Sequence, residues 1–572
     1  MSSVLSEAAR RDVELERAWS ELTAPGAPFE VAEATVRGVP VRTFVRAPET
    51  LGAFWEASAA FGERDYLVFG SERTTYTQAR AATTAVSAWL SRHGVVQGDR
   101  VAIAMRNYPE WLLIYWACLS MGVTVVGMNA WWAPEEMELA LAEVRPKALF
   151  ADAERLERLA SVTRAVRPPL TIAVRTPPAD GAATWDEVIS EPGAAPSADI
   201  GPDDEACIFF TSGTTGAAKG AQLTHRSCLN NMMTMGFIAQ VQGLALSRAL
   251  GVAVDFGAIA RPVGLATTPL FHVTANNCLA HTMTASGGTL VLMYKWDAGE
   301  ALRLIEAEGV TTLSGVPTMS RELLAHPDAP HRDLSTLTTL IGGGAQLTPD
   351  LVSAIHEHAS AVQPSTGYGM TETSGIISAI SGAYLVARPL SCGRPLPTFE
   401  VRVMDGDTVL PAGETGEICV RSAGVIKGYF NRPEATAESI VEGWLHTGDI
   451  GRIDKEGFIY LLDRKKDMVL RGGENVYCAE VETAVFRHPD VQEVCVFGVA
   501  DERLGEEVGA AVVLRSGRNA DAGTLRLHVA ALIARHKVPR YIWILEEPLP
   551  RNAAGKFLRR ELRDALDPGD AQ

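Results

Sequence analysis

Residues 288–315, G-T-L-V-L-M-Y-K-W-D-A-G-E-A-L-R-L-I-E-A-E-G-V-T-T-L-S-G, decide the fold. Gly288-T-L-V-L-M is short and apolar and reads as a buried strand, as does Thr311-T-L-S-G. Between them, Ala298 to Ala307 repeats its apolar residues at helical spacing, as an amphipathic helix does. A strand, a helix and a second strand form a crossover, which demands a parallel sheet covered by helices. The same alternation runs through most of the chain. The expected class is therefore α/β, with parallel-rich sheets covered by helices in a large N-terminal domain.

The texture changes around Asp463-R-K-K-D, where segments become shorter and more charged. A Gly-rich turn at Gly472-Gly473, a helix near Val481 to Arg487 and strands at Val494-C-V-F-G-V and Ala510-A-V-V-L follow. This predicts a boundary that leaves residues 1–464 as the large domain and 465–572 as a small, mobile α+β domain. The length of 572 residues agrees with more than one core.

Composition excludes several classes of function. The net charge of −17 argues against a general nucleic-acid or anionic-membrane surface, though a local basic site can still take a phosphate. The 8 cysteines include no C-x-x-C pair, so neither a zinc knuckle nor a disulfide framework is expected. Reduced thiols and an N-terminus without a signal-peptide apolar core predict a cytoplasmic protein. The uncharged run from Trp111 to Ala133 is long enough to span a bilayer. It breaks at Gly122, however, and reads as a buried helix, a turn and a buried strand, so no transmembrane segment is expected. His356 and His358 stand two apart, which on a helix points their rings away from one another.

Thr211-S-G-T-T-G-A-A-K-G follows the apolar run Ala206-C-I-F-F and precedes a helix-like stretch from His225. A strand, a flexible loop and a helix in that order aim backbone N–H groups at an anion. Ser212, Thr214 and Thr215 add hydroxyls and Lys219 a charge, while Gly213 and Gly216 permit close approach. The pattern is not that of a Walker loop. Counted from Gly213, the second glycine would fall at Ala218, and Lys219 is followed by Gly220. Taken alone, the segment also reads as a solvated Gly/Ser/Thr linker.

Four further motifs stand in order behind it: Gly367-Y-G-M-T-E, His446-T-G-D, Asp463-R-K-K-D and Arg551-N-A-A-G-K. With the T-S-G-T-T-G-A-A-K-G loop, this set resembles the adenylate-forming superfamily of acyl-CoA synthetases, luciferases and nonribosomal peptide adenylation domains. The resemblance covers about Phe209 to Lys556. It implies that ATP is consumed to pyrophosphate and an acyl-adenylate, with Mg2+ as metal and CoA as the second substrate. Under it, residues 211–216 and Lys219 hold phosphates, and Gly344, Ala345 and Gln346 let the backbone approach the base edge. Tyr368 offers a ring for adenine stacking. Thr371 lies at the α-phosphate, and Glu372 is a hard oxygen ligand for Mg2+. Asp449 accepts from the ribose hydroxyls, Arg464 adds a second contact, and Lys466 marks the hinge. Lys556 offsets the repulsion between the attacking carboxylate and the α-phosphate.

The same resemblance places Gly472 and Gly473 at a pantetheine tunnel and His272 of Pro269-L-F-H as a gate to the acyl pocket. Phe271, Val316 and Gly369 are its expected walls. These stretches show no charged partner for a charged substrate tail, which favours an apolar fatty or aryl acid over an amino acid. The chain between Glu372 and His446 is short, which favours free CoA over a carrier-protein phosphopantetheine. A reading of another class, a noncatalytic nucleotide-binding or membrane-associated protein, has against it that Lys556, Glu372 and Lys219 are all present.

Overall fold

The computed structural model describes residues 2–178, 181–190, 193–211, 218–251, 261–344, 347–358, 362–551 and 556–572. Two large sheets carry the N-terminal part. One is eight-stranded, and six of its strands, Glu205–Thr211, Thr124–Gly127, Arg100–Ala104, Ala148–Ala151, Leu170–Ala173 and Ala183–Thr184, run parallel. The other is nine-stranded, with a parallel centre from Gln363–Met370 through Thr339–Gly342, Thr312–Gly315, Val263–Ala266 and Thr289–Leu292 to Asp65–Phe69. Parallel strands need crossovers, and helices supply them on the sheet faces.

The crossover that opened the sequence reading exists, with strands Thr289–Leu292 and Thr312–Gly315 joined by the helix Ala298–Glu308. Asp297 caps that helix by accepting from Glu300 N at 2.8 Å, and Gly309 ends it at φ +62°. The two strands are not neighbours, because Val263–Ala266 lies between them and pairs with both. The crossover therefore steps over one strand, which local pattern could not reveal.

The apolar run at Trp111 is a helix, Pro109–Ser120, followed by the strand Thr124–Gly127. Trp111, Ile114, Tyr115 and Trp116 are each 0% exposed, so the helix is apolar on all sides because it is covered on all sides. Its core neighbours come from both sheets, Val101, Phe150 and Phe209 from one, Leu67, Leu290 and Leu292 from the other. Two of its buried polar side chains find partners in place, whereas Trp111 Nε1 and Ser120 Oγ have none among the described residues. Tyr115 Oη lies 3.0 Å from His281 Nε2, and Trp116 Nε1 donates to Tyr66 Oη at 2.8 Å. Among the described residues, no helix is long and apolar enough to cross a membrane.

A third, antiparallel sheet contains Glu400–Asp405, Gly416–Arg421, Trp444–Ile453 and Ile459–Arg464. Beyond it stands a small α+β unit, in which Gly505–Leu514 pairs antiparallel with Val491–Asp501 and parallel with Tyr541–Leu545. It has its own apolar cluster, built on Val469, Val481, Val496, Val512 and Ile542. Large and small domains together give the expected class.

Gly369 shows how closely two strands approach beside the cleft. A Cβ there would lie 2.1 Å from Gly375 O and 2.7 Å from Ile376 Cα, both backbone atoms that cannot swing aside. Gly369→Ala should destabilise by at least about 1–3 kcal/mol, the usual cost of overpacking, and lower the urea midpoint. An unchanged midpoint would refute this close approach.

Candidate active site

One cleft of about 2810 Å3 runs between the sheets and the small domain. Thr211, Lys219, His272, Val316, Gly344, Gly369, Thr371, Glu372, Arg464, Lys466 and Lys556 all line it. Eleven positions singled out by sequence, drawn from both domains, are thus brought to one cavity. Ser212 through Gly216, together with Ala345 and Gln346, lie outside the described residues.

The phosphate loop has a different setting from the one expected. Lys219 opens a strand, Lys219–Thr224, which pairs antiparallel with Glu205–Thr211 and matches Thr211 to Lys219. The loop therefore closes a β-hairpin, and the helix His225–Leu250 begins only at the far end of the second strand. The N-terminus of that helix is separated from Lys219 by the whole strand Lys219–Thr224. The loop's electrostatic contribution within the described residues comes from Lys219, whose Nζ sits 5.0 Å from the centroid of the Tyr429 ring.

Tyr429 was not visible as a site residue in the sequence. It lies in a two-residue strand, Gly428–Tyr429, which adds to the hairpin with Tyr429 opposite Ala221. Its hydroxyl donates to Glu372 Oε1 at 2.8 Å. Burial, and then the Glu372 carboxylate, push its pKa up, so it remains a donor at neutral pH. Glu372 is 8% exposed and follows Thr371 in the short 3-10 turn Thr371–Thr373, directly after Gln363–Met370. A nearly buried carboxylate that accepts from the neutral Tyr429 hydroxyl keeps further lone pairs for a hard cation.

Asp449 belongs to the long strand Trp444–Ile453 rather than to an isolated turn. Its Oδ1 lies 2.7 Å from Arg464 Nε, and its Oδ2 accepts from Tyr368 Oη at 2.8 Å. Asp449 also stands opposite Arg464 in the strand register. Burial is the largest single influence on the Arg464 guanidinium and draws it down, but Asp449, Tyr368, Glu372 and Asp467 together outweigh it, and the net shift is upward. Tyr368 is 6% exposed and packs among Ile377, Leu396 and Phe399, so in this conformation it anchors Asp449 and its ring does not line the cleft.

Lys556 reaches across from the small domain. Its Cε would be 3.5 Å from a Cβ built on Gly344, whose φ of +73° also favours glycine. Water reaches the side chain through the open cleft, yet protein surrounds it, and this crowding together with Arg464 lowers its pKa. Asp449 and Glu372 act in the opposite sense. His272 stands nearby with its ring 4.7 Å from that of Phe271, and burial and Lys556 depress it to about 4. It is uncharged at neutral pH, as suits a wall for an apolar group.

The remaining expected wall residues separate. Val316 borders the cleft, but Phe271 is 2% exposed, packs on Trp131 at 5.6 Å and does not line it. Met232, Met233 and Cys278, which sequence reasoning missed, line it instead. Gly472 and Gly473 form the tip of the hairpin between Val469–Arg471 and Glu474–Val476, at φ +59° and +87°, and do not reach the cleft. The chain also brings Arg64 and Arg261 to the lining, charges that the sequence reading of the acyl walls did not include.

A cleft lined by a phosphate-loop lysine, a nearly buried carboxylate, an arginine ion-paired with Asp449 and a lysine from a second domain is suited to nucleotide-dependent acyl activation. The family model for AMP-binding enzymes matches residues 54–430, and that for the AMP-binding enzyme C-terminal domain matches 480–556. The chain belongs to the AMP-binding enzyme family. It is similar to a feruloyl-CoA synthase from Amycolatopsis sp, with 34% identity over 86% of this chain and 94% of that one. It is also similar to a long-chain-fatty-acid–CoA ligase from Bacillus subtilis, with 31% identity over 89% and 92%. Among solved structures, it superposes on an o-succinylbenzoate CoA synthetase from Bacillus subtilis bound to its acyl-adenylate intermediate. There the TM-score is 0.76 and the identity 28%, over 92% of this chain and 100% of that one.

Proposed function

We propose that the chain is an AMP-forming acyl-CoA synthetase whose acid is an apolar alkyl or aryl carboxylic acid. The observation that carries the reading is the continuity of one cleft, from Lys219, Glu372 and Arg464 past Lys556 to the apolar stretch at Val316, Met232 and Met233. The acid's carboxylate attacks the α-phosphorus of ATP, and the bond to pyrophosphate breaks. A CoA thiol then attacks the acyl carbon and displaces AMP. Methionines adapt to irregular apolar groups, which suits an acyl or ring-bearing tail.

In this assignment, Lys556 neutralises charge between carboxylate and α-phosphate, and Thr371 hydrogen-bonds the α-phosphate. Asp449 takes the ribose hydroxyls on lone pairs that Arg464 and Tyr368 leave open. Adenine stacking on Tyr368 requires the ring to turn out from its packed position, whereas the Gly343-Gly344 backbone is already at the cleft. Glu372 fits Mg2+ as an oxygen donor, and the ion would supply charge neutralisation on the phosphates. The domain boundary at 464/465, with Lys466 as hinge, would let the small domain turn and bring Gly472 and Gly473 towards the cleft for the thiol step.

The test is an acid panel of short to long fatty acids, benzoates, cinnamates, ring-bearing propionates and amino acids, with ATP and Mg2+, with and without CoA. AMP should form with one class of apolar acid, and thioester only when CoA is present. Acyl-AMP that never passes to CoA would identify a carrier protein as acceptor. ADP in place of AMP would overturn the reading.

A further inference from the structure

Beside the nucleotide end of the cleft stands a group of side chains that the reaction does not use. Glu417 and Cys419 lie two apart on the strand Gly416–Arg421 and so share one face. Cys419 pairs in register with His446 of the adjacent strand Trp444–Ile453. His446 Nδ1 lies 3.4 Å from Cys419 Sγ and 3.5 Å from Glu417 Oε2. All three ligand atoms fall within 4.8 Å of one another, the one such His/Cys/carboxylate group among the described residues.

We propose that Glu417, Cys419 and His446 bind a thiophilic divalent cation of the Zn2+ class, and that its binding inhibits the ligase by detaching Lys465. Tetrahedral Zn2+ with bonds of about 2.0–2.3 Å holds neighbouring ligand atoms roughly 3.3–3.6 Å apart. Two of the three edges already have that length. A sulfur, an imidazole and a carboxylate suit Zn2+ or Co2+ and not Mg2+, which separates this site from Glu372. Three protein ligands leave one position open, and two of them, Glu417 and His446, line the cleft.

The competitor for the site is Lys465, whose Nζ lies 3.2 Å from Glu417 Oε2. That side chain is 65% exposed, so the ion pair contributes little and yields readily. The thiol is protonated without metal, since burial and then Glu417 push Cys419 up to about 12. A bound cation deprotonates it, and the proton goes to solvent while sulfur gains the metal bond.

Inhibition follows from what Glu417 and Lys465 hold. Glu417 Oε1 accepts from Gly448 N at 3.1 Å, and Lys465 N donates to Gly448 O at 2.8 Å. Gly448 precedes Asp449, and Lys465 stands between Arg464 and Lys466. Recruiting Glu417 to a metal disturbs this clamp at its centre. The inhibitory part rests on the proposed ligase activity, but the binding part does not.

The experiment is a Co2+ titration of the purified, Mg2+-free protein, followed by absorption, with Zn2+ inhibition of AMP release measured separately in excess Mg2+. One equivalent of Co2+ should give a thiolate-to-metal charge-transfer band and release about one proton at neutral pH. Cys419→Ser should abolish the band, keep its AMP release without Zn2+ and resist Zn2+. Glu417→Gln should weaken Co2+ binding by more than about tenfold, the scale at which even outer ligand partners act. This variant keeps the test open should Cys419→Ser fail to fold. Co2+ binding without the band, or Zn2+ inhibition unchanged in Cys419→Ser, would overturn the proposal. The band would report the site even if no acid on the panel were activated.

Discussion

Lys556→Ala should lower acid-dependent AMP formation by about 10²–10³-fold, the range for removing one preorganised group from a developing charge. The side chain projects from the small domain into the cleft that Gly344 also lines, and Arg464, Asp449 and Glu372 are the charges that shift its pKa most. It is the one group proposed to sit between two anions, so its loss should affect adenylation and not folding. The half-reactions separate these outcomes. Pyrophosphate exchange into ATP should collapse, while chemically prepared acyl-AMP should still pass to CoA in the variant. Equal loss in both half-reactions would mean that Lys556 supports the structure and not the adenylation step.

Glu372→Gln should raise the Mg2+ concentration needed for half-maximal activity by about 10–100-fold or more, the span reported for partners of metal ligands. The amide keeps the shape and can still accept from Tyr429, so the fold has little reason to change. What it loses is the negative charge that makes Glu372 a ligand for a hard cation. Tyr429→Phe is the informative control. It removes the 2.8 Å hydrogen bond to Oε1 but leaves the carboxylate, and it should shift the Mg2+ dependence in the same direction by less. If the order were reversed, the role of Tyr429 would lie with Lys219 above its ring and not with the carboxylate.

Much of the fold was legible where order is local. The crossover of residues 288–315 and the break at Gly122 follow from apolar spacing and a single glycine, and both were found. The insertion of Val263–Ala266 between the two crossover strands was not legible, because strand order is set by pairing across the whole sheet. The phosphate loop illustrates the same limit. Lys219-G-A-Q-L-T carries a glycine and a glutamine and did not read as a strand, so the helix from His225 was placed too close to the loop. Its strand conformation depends on partners on both sides, Glu205–Thr211 and Gly428–Tyr429.

The site was legible where a motif spells it and not where only packing does. Glu372, Arg464 and Lys556 are written in short ordered patterns and line one cleft, while Asp449 pairs with Arg464 without lining it. Tyr429 touches Glu372 across 57 residues of sequence, with no local pattern to announce it. Phe271 was placed at the wall by its neighbour His272, yet the ring turns towards Trp131 and the core. Met232 and Met233 lie on a helix whose existence could be read but whose cleft-facing side could not.

The helix Pro109–Ser120 also sets a condition on synthesis. Part of its cover, Thr289–Leu292, emerges from the ribosome long after the helix itself. At ~5–20 residues per second the interval is about ten to thirty seconds. For that time a segment with two tryptophans and no polar face lacks part of its cover. A nascent chain of this length is aggregation-prone, and a fragment ending before Val263 would stay so, whatever the stability of the finished enzyme.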